Sequence, residues 1–475
     1  VNAARTVIPG SNSCSGETTN VRKPSGSGGA PGVRISDKLG IVRHVSPPAK
    51  RHLERLRPKK RDRVPGVRPT RKGLPKMLAV NEDRIASAVS RLGSENAFEV
   101  LARARVLESE GRRIVHMEIG EPDFDTPEHI KQAAIDALHD SHTHYSPSAG
   151  IPELRATIAE YASKFRGIEP AYDPENVVVG PGAKPIIWNL LSSILNPGDA
   201  FVYFDPAYPA YASAASYLQA DVQAIPLLEE RNWRMDLDEL AQRVGPKTKA
   251  IVINSPHNPT GGVLTPGDLE RIADIARRND VLVIADEIYS RNFYLDSEFV
   301  SIASLPGMRE RTVIVDGFSK SYAMTGWRLG YAIAPKELAK VVTLFNNNTF
   351  SCVATFVQRA GIAALTGPDE PVRHMNATFR ERRDRLVSGL NAIPGLSCTL
   401  PEGAFYAFPN VTKVARDDRA LARFMLEEAG VACTGGSAFG AAGKGYLRFS
   451  YAASLDDIDY ALERIAKTLP QFTER

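Results

Sequence analysis

"TVIVDGFSKSYAMTGWRLGY", residues 312–331, begins as a β-branched run and then sets one lysine, Lys320, on a turn ahead of a glycine- and aromatic-rich stretch. The run reads as a buried strand. Lysine is ordinarily a surface residue, so its place just beyond such a strand calls for a chemical reason. Arg328 follows eight residues later. The same strand pattern recurs at "NVVVG" (176–180), "AFVYFDP" (200–206), "KAIVINSP" (249–256) and "DVLVIADE" (280–287). Helix-length segments such as "PGDLERIADIARRN" separate several of these runs. Continuous Val/Ile strands alternating with helices predict an α/β fold, a mostly parallel sheet with both faces covered by helices. Ligands of such sheets gather at the carboxyl ends of the strands. Helical spacing is also present in "NEDRIASAVSRL" (81–92) and "ENAFEVLARARVLESEG" (95–111). From about residue 370 onward, longer helices and hairpin-like pieces predict a second, smaller α+β domain.

The bulk of the chain fits this. Its 475 residues suffice for two or three domains, and 43% apolar with 24% charged residues is ordinary for a soluble globular protein. No apolar run approaches a membrane span. Cys14, Cys352, Cys398 and Cys433 are scattered without CxxC or metal-ligand spacing, which predicts no metal site and fits a reducing, cytoplasmic setting. The net charge of +4 is uneven: residues 1–76 hold 18 Lys/Arg against 4 Asp/Glu, and the rest holds 41 against 51. The body is therefore mildly acidic, and its charge gives no support to a nucleic-acid partner. Residues 1–77, rich in Gly, Ser, Pro and Arg, are expected to be disordered. They read as sequence upstream of a start at Met77, as an Arg-rich targeting leader, or as a binding tail around "KKRDR".

Polar residues recur at the strand ends: Asn258 shortly after "AIVIN", Asp286 after "VLVIA", and Lys320 after "TVIV" and its turn. An amide, an acid and an amine at neighbouring strand ends predict one pocket. A desolvated lysine can attack a carbonyl. An aspartate can pair with a protonated pyridine nitrogen, as in pyridoxal-phosphate sites. "VVVGPGAKPII" (177–187) supplies a glycine-containing strand-to-helix turn suited to a phosphate, with Pro185 at an early helical position. Taken singly, Asp286 reads equally as a helix cap and Asn258 as a turn residue.

The ordered set "GEPDFDTPEHI" (120–130), "YSPSAGIPELR" (145–155), "DPAYPAY" (205–211), "NSPHNPTGG" (254–262), "ADEIYS" (285–290), "GFSKSYAMTGWRLGY" (317–331), "PEGAFYAFPN" (401–410) and "YLRFSYA" (446–452) resembles the class I pyridoxal-phosphate aminotransferases, in particular the bacterial aspartate aminotransferase subgroup. The likeness covers roughly residues 80–470. It implies fold type I: a seven-stranded-type large domain over 127–355, a small domain over 356–475, and an N-terminal arm with part of the small domain over 78–126. It implies that Lys320 carries pyridoxal 5'-phosphate and moves the substrate proton. Asp286 would meet the pyridine nitrogen, Asn258 and Tyr289 the phenolic oxygen, and Tyr208 the ring face. Gly182, Ala183, Lys184, Ser319 and Arg328 would cup the phosphate. Tyr145 would reach the phosphate of a neighbouring subunit in a homodimer. Arg448, with Asn258 and the Gly120 backbone, would hold the substrate carboxylate.

Two positions depart from the family pattern. Gly317 stands where a phosphate-binding serine is frequent, and Gly435-Gly436 where a proline is common, which predicts a weaker cup and a looser loop. The implied activity is transfer of an amino group from an L-amino acid to a 2-oxo acid, with aspartate and 2-oxoglutarate first. Aromatic, branched or alanine-type donors, and a C–S lyase or synthase on the same fold, remain open. A DNA-binding regulator would need a helix-turn-helix upstream, and none is legible.

Overall fold

A computed structural model describes residues 85–93 and 96–473, so the basic segment 1–77 and every reading of it lie outside the described residues. The first strand, β1 (Val115–His116), is short. The large sheet is built from β2 (Val177–Gly180), β3 (Ala200–Asp205), β4 (Asp221–Leu228), β5 (Arg234–Met235), β6 (Thr248–Asn254), β7 (Leu282–Asp286), β8 (Thr312–Gly317) and β9 (Gly330–Ile333). Its order is β2-β9-β8-β7-β6-β3-β4-β5. The five strands from β8 to β4 run parallel, β9 is antiparallel to both β2 and β8, and the two-residue β5 adds an eighth, antiparallel edge.

The all-apolar strand pattern has a direct cause. Val313 and Val315 of β8 pack into a core with Ile187, Leu190 and Val342, while Ile314 between them packs into another with Ile158 and Val357. Successive side chains point to opposite faces of a strand, and both faces are dry. Each fully buried Val or Ile contributes about 1.5–3 kcal/mol. Helix Pro266–Asn279 occupies the span read from sequence. Thr265 caps it and Asp268 completes the capping box, with Pro266 in its first turn.

The second body is smaller. The strands β10 (Tyr406–Ala407), β12 (Thr434–Gly435) and β13 (Leu447–Ser450) form an antiparallel sheet in the order β10-β13-β12, and β11 (Val431–Ala432) pairs in parallel with β1. Phe379, Leu386, Phe405, Phe449 and Ile465 share its core. Helix Glu370–Asn391 joins the two cores, with Val372 in the one beneath the large sheet and Phe379 in the other.

The helix expected over 81–92 is not borne out in its described part, where Ser87–Arg91 forms a single 3-10 turn. The apolar residues that suggested it, Ile85, Val89 and Leu92, are 51%, 48% and 41% exposed, so helical spacing there has no core to face. The helix expected over 95–111 forms as Asn96–Ser109, and Gly111 follows it at a φ of 87°.

Gly317 and Gly330 face each other in the β8–β9 ladder. A Cβ on Gly317 would lie 3.0 Å from the Gly330 Cα, and one on Gly330 would lie 2.8 Å from the Ala183 nitrogen. A serine at 317 would therefore press on the Gly330 backbone opposite it. Gly330→Ala should lower stability by about 1–3 kcal/mol through overpacking against immovable backbone, read as a drop in denaturant midpoint. An unchanged midpoint would show that the β9–helix contact relaxes freely.

Candidate active site

Three parallel strands end beside one another, and their last residues build the site. Asn254 of β6 and Asp286 of β7 are register partners. The Asn254 amide donates to the Asp286 carbonyl at 2.9 Å and its Oδ1 accepts from the Asn258 backbone at 2.9 Å. The side chain of a strand-end asparagine thus fixes the turn that carries Asn258. Lys320 lies three residues beyond β8, and its Nζ donates to the Gly120 carbonyl.

These groups meet in one cavity of about 490 Å³. Lys320, Asp286, Asn258, Tyr289, Tyr208 and Ser319 line it, as do Ala183, Lys184, Arg328, Gly120 and Arg448. Gly182 stands just behind: it precedes helix Ala183–Ile194 at a φ of 95°, and a Cβ there would lie 2.6 Å from a terminal nitrogen of Arg328. A left-handed glycine, a helix N-terminus and a guanidinium packed together form a cradle that fits a phosphate. Arg328 itself sits at a φ of 53° and donates to the Thr325 carbonyl at 3.0 Å. Tyr145 is the exception. It is 91% exposed and does not line the cavity of its own chain.

Asp286 is buried, and burial pushes its carboxyl up to about 6. Hydrogen bonds from Tyr211 and the Ile288 backbone oppose that rise, and the charges of Asp316 and Glu287 add to it. The Tyr211 hydroxyl donates to Oδ2 at 2.5 Å and the Ile288 N–H to Oδ1 at 3.2 Å. Glu287 and Asp316 are held by Arg166, which donates to them at 2.5 and 2.6 Å in a buried cluster. Tyr289 is also buried, its phenol pushed well above its ordinary pKa by burial, and it shares a 2.7 Å hydrogen bond with the Tyr406 hydroxyl.

Arg448 comes from β13. It donates to Asn258 Oδ1 at 3.1 Å and to the Glu118 carbonyl, and its guanidinium carbon lies 4.6 Å from the Tyr406 ring centroid and 4.7 Å from that of Phe439. Its Nε is buried without a partner among the described residues. A guanidinium set close to two rings with donors to spare is suited to a carboxylate. The looser loop expected at Gly435-Gly436 is not what forms. The Gly436 N–H bonds the Tyr446 carbonyl at 2.8 Å, and a Cβ on Gly436 would lie 2.1 Å from the Gly443 carbonyl oxygen.

Sequence reasoning passed over Tyr211, Asn254 and Tyr406, although all three lie inside or beside quoted motifs. Tyr211 follows Tyr208 at helical spacing, edge-on at 5.7 Å, so its hydroxyl reaches the acid beneath. Asn254 was legible as one more polar strand end.

The chain matches the family model described as "Aminotransferase class I and II" over residues 112–465. It is 40% identical to the probable aspartate/prephenate aminotransferase of Aquifex aeolicus, over 82% of this chain and 99% of that one. It is also 40% identical to aromatic-amino-acid aminotransferase 2 of Thermococcus litoralis, over 75% and 92%. Among solved structures, the aspartate aminotransferase of Rhizobium meliloti matches with a TM-score of 0.78 at 35% identity, covering 82% of this chain and 99% of that one.

The Tyr211 contact yields a pH prediction. On the expectation that Asp286 meets the pyridine nitrogen of pyridoxal phosphate, the cofactor-free protein should lose affinity for that compound as pH falls through about 6, where Asp286 takes up its proton. Tyr211→Phe removes a bond that favours the ionised form, so the loss should begin at a higher pH, by about one unit. Titration by visible absorbance reads the midpoint, and an unshifted one would remove Tyr211 from this role.

Proposed function

The chain belongs to the class I and II aminotransferases and is an aminotransferase; we propose that it works with pyridoxal phosphate held on Lys320, and that aspartate and 2-oxoglutarate are its first substrates. The observation that carries this reading is the meeting of Lys320, Asp286 and Arg448 in one cavity. Pyridoxal phosphate, when bound, supplies an electron sink for the charge left at the substrate Cα.

The chain's own groups supply the rest. Asp286 keeps a proton on the pyridine nitrogen. Asn258 and Tyr289 hydrogen-bond the phenolic oxygen, and Tyr208 covers the ring. Arg328, Ser319 and the N-terminus of helix Ala183–Ile194, with Gly182 and Lys184, take the phosphate end. Arg448 fixes the substrate carboxylate, with the Gly120 backbone beside it, and thereby turns the Cα–H bond toward Lys320. The Lys320 amine removes that proton. The Lys320 Nζ donates to the Gly120 carbonyl.

What supports an aspartate donor is the likeness to the probable aspartate/prephenate aminotransferase of Aquifex aeolicus. The chain is further proposed to act as a homodimer, in which the exposed Tyr145 reaches the phosphate site of the other subunit.

The test is a half-reaction. Cofactor-loaded protein mixed with single amino acids, without any oxo acid, should lose its visible absorbance and release the matching 2-oxo acid, fastest with aspartate. Ammonia or a β-substituent released while the absorbance persists would mean a lyase. Lys320→Ala should slow the reaction by at least about 10²–10⁴-fold, the contribution of a positioned acid–base group. Alanine and phenylalanine should react more slowly than aspartate; an aromatic or alanine-type donor that reacts faster would end the dicarboxylate reading.

A further inference from the structure

A charged bridge lies behind the substrate clamp, outside the cavity. His116 ends β1, with one ring nitrogen 2.9 Å from Glu118 Oε1 and the other 3.0 Å from Glu108 Oε1. Neutral imidazole has a single N–H, so two carboxylate partners require the doubly protonated ring. Glu118 is fully buried, its second carboxylate oxygen has no partner among the described residues, and its backbone carbonyl accepts from Arg448. Glu108 belongs to helix Asn96–Ser109, whose first residues, Asn96, Ala97 and Phe98, line the cavity mouth. One imidazolium therefore ties the mouth helix to the segment that holds the clamp.

We propose that His116 is a positioning residue for substrate binding: bridged between Glu108 and Glu118, it fixes the Glu118 carbonyl on which the Arg448 guanidinium is aligned. The inference rests on the reading of Arg448 as the carboxylate clamp. His116 touches neither substrate nor cofactor. Its effect belongs on carboxylate affinity and not on the proton-transfer rate.

The charge of the bridge has a defined pH range. The Glu118 hydrogen bond, then the bond to Glu108 and the charges of both, raise the His116 pKa to about 9 against the opposing effect of burial. The other ionisable groups near the bridge are Arg448 on β13 and Cys433 beside β11. Burial, with the Glu118 charge, pushes the Cys433 thiol well above its ordinary value, so it stays neutral. Because the pKa is raised in the folded protein, the bridge is complete below pH 6.5 and is lost as pH rises through about 9.

The experiment uses the cofactor-loaded protein and maleate, a dicarboxylate without an amine, with binding followed by visible absorbance between pH 7 and 10. His116→Gln keeps one hydrogen bond and loses the charge. It should weaken maleate about tenfold at pH 7.5, the worth of one hydrogen bond. The ratio to wild type should close toward one by pH 10, where wild type has also lost its bridge. The KM for the amino-acid donor should rise in step while kcat changes by less than about twofold, the signature of lost ground-state binding. Glu108→Gln, at the exposed end of the bridge, should give a smaller loss that closes over the same range, and it serves if His116→Gln does not fold. A ratio near one at pH 7.5, or one constant to pH 10, overturns the proposal. Arg448→Lys separates the two readings: if it weakens maleate and the bridge variants do not, only His116 loses its role; if it has no effect, the clamp itself is misassigned.

Discussion

The site depends on one carboxylate kept dry and usable at the end of a parallel strand. Asp286 sits where β7 stops, with β6 ending on one side and β8 passing on the other. Burial alone would protonate it, so the fold brings donors to its two oxygens. One comes from Tyr211, on the helix that follows β3, and the other from the backbone two residues on. Strand alternation sends Glu287 to the opposite side, where Arg166 joins it to Asp316. Without that guanidinium the sheet would bury two further uncompensated anions beside Asp286. The cluster is costly to desolvate, yet it lets three carboxylates occupy adjoining strands.

Close backbone approach is the second constraint. Gly180 and Gly330 pair in one ladder and Gly317 and Gly330 in the next, so the glycines that end β2 and β8 converge on the start of β9. There β9 passes under the first turn of helix Ala183–Ile194. A side chain at Gly330 would run into the backbone at the start of that helix. Gly317 lies across the ladder from Gly330, and Ser319, two residues later, lines the cavity.

What was legible in the sequence follows from what was local. Continuous Val/Ile runs reported strands buried on both faces, because each residue meets a core whichever way it points. Lys320, Asp286 and Asn258 were legible as a set, because an amide, an acid and an amine near neighbouring strand ends point to one pocket although each taken singly has another use. The helix expected over 81–92 failed for the converse reason: its spacing was helical, but Ile85, Val89 and Leu92 of its described part stay about half exposed. Tyr211 and Tyr406 were hidden because an aromatic ring reads as core until its hydroxyl is placed, and both hydroxyls end on site residues. His116 showed no ligand spacing and was passed over. Its significance comes from Glu108, eight residues away on a helix, and from a carbonyl whose partner lies 330 residues further along the chain.

The clamp proposed at Arg448 draws on both bodies. The acid and the lysine come from the large sheet, and Arg448 comes from β13 of the smaller one. Its guanidinium is held by Asn258 from the large sheet, by Glu118 from the segment after β1, and by the rings of Tyr406 and Phe439. Those hydrogen bonds use two of the five N–H groups a guanidinium carries, so its plane is set before its donors are spent. Alignment therefore adds little entropy cost when a carboxylate binds, and more of the binding energy remains to orient the Cα–H bond. A clamp anchored on both bodies registers any shift between them as a change in carboxylate affinity. On the reading of Arg448 as the clamp, anchoring it through a backbone carbonyl would make the segment behind that carbonyl, and the charges that fix it, part of substrate recognition.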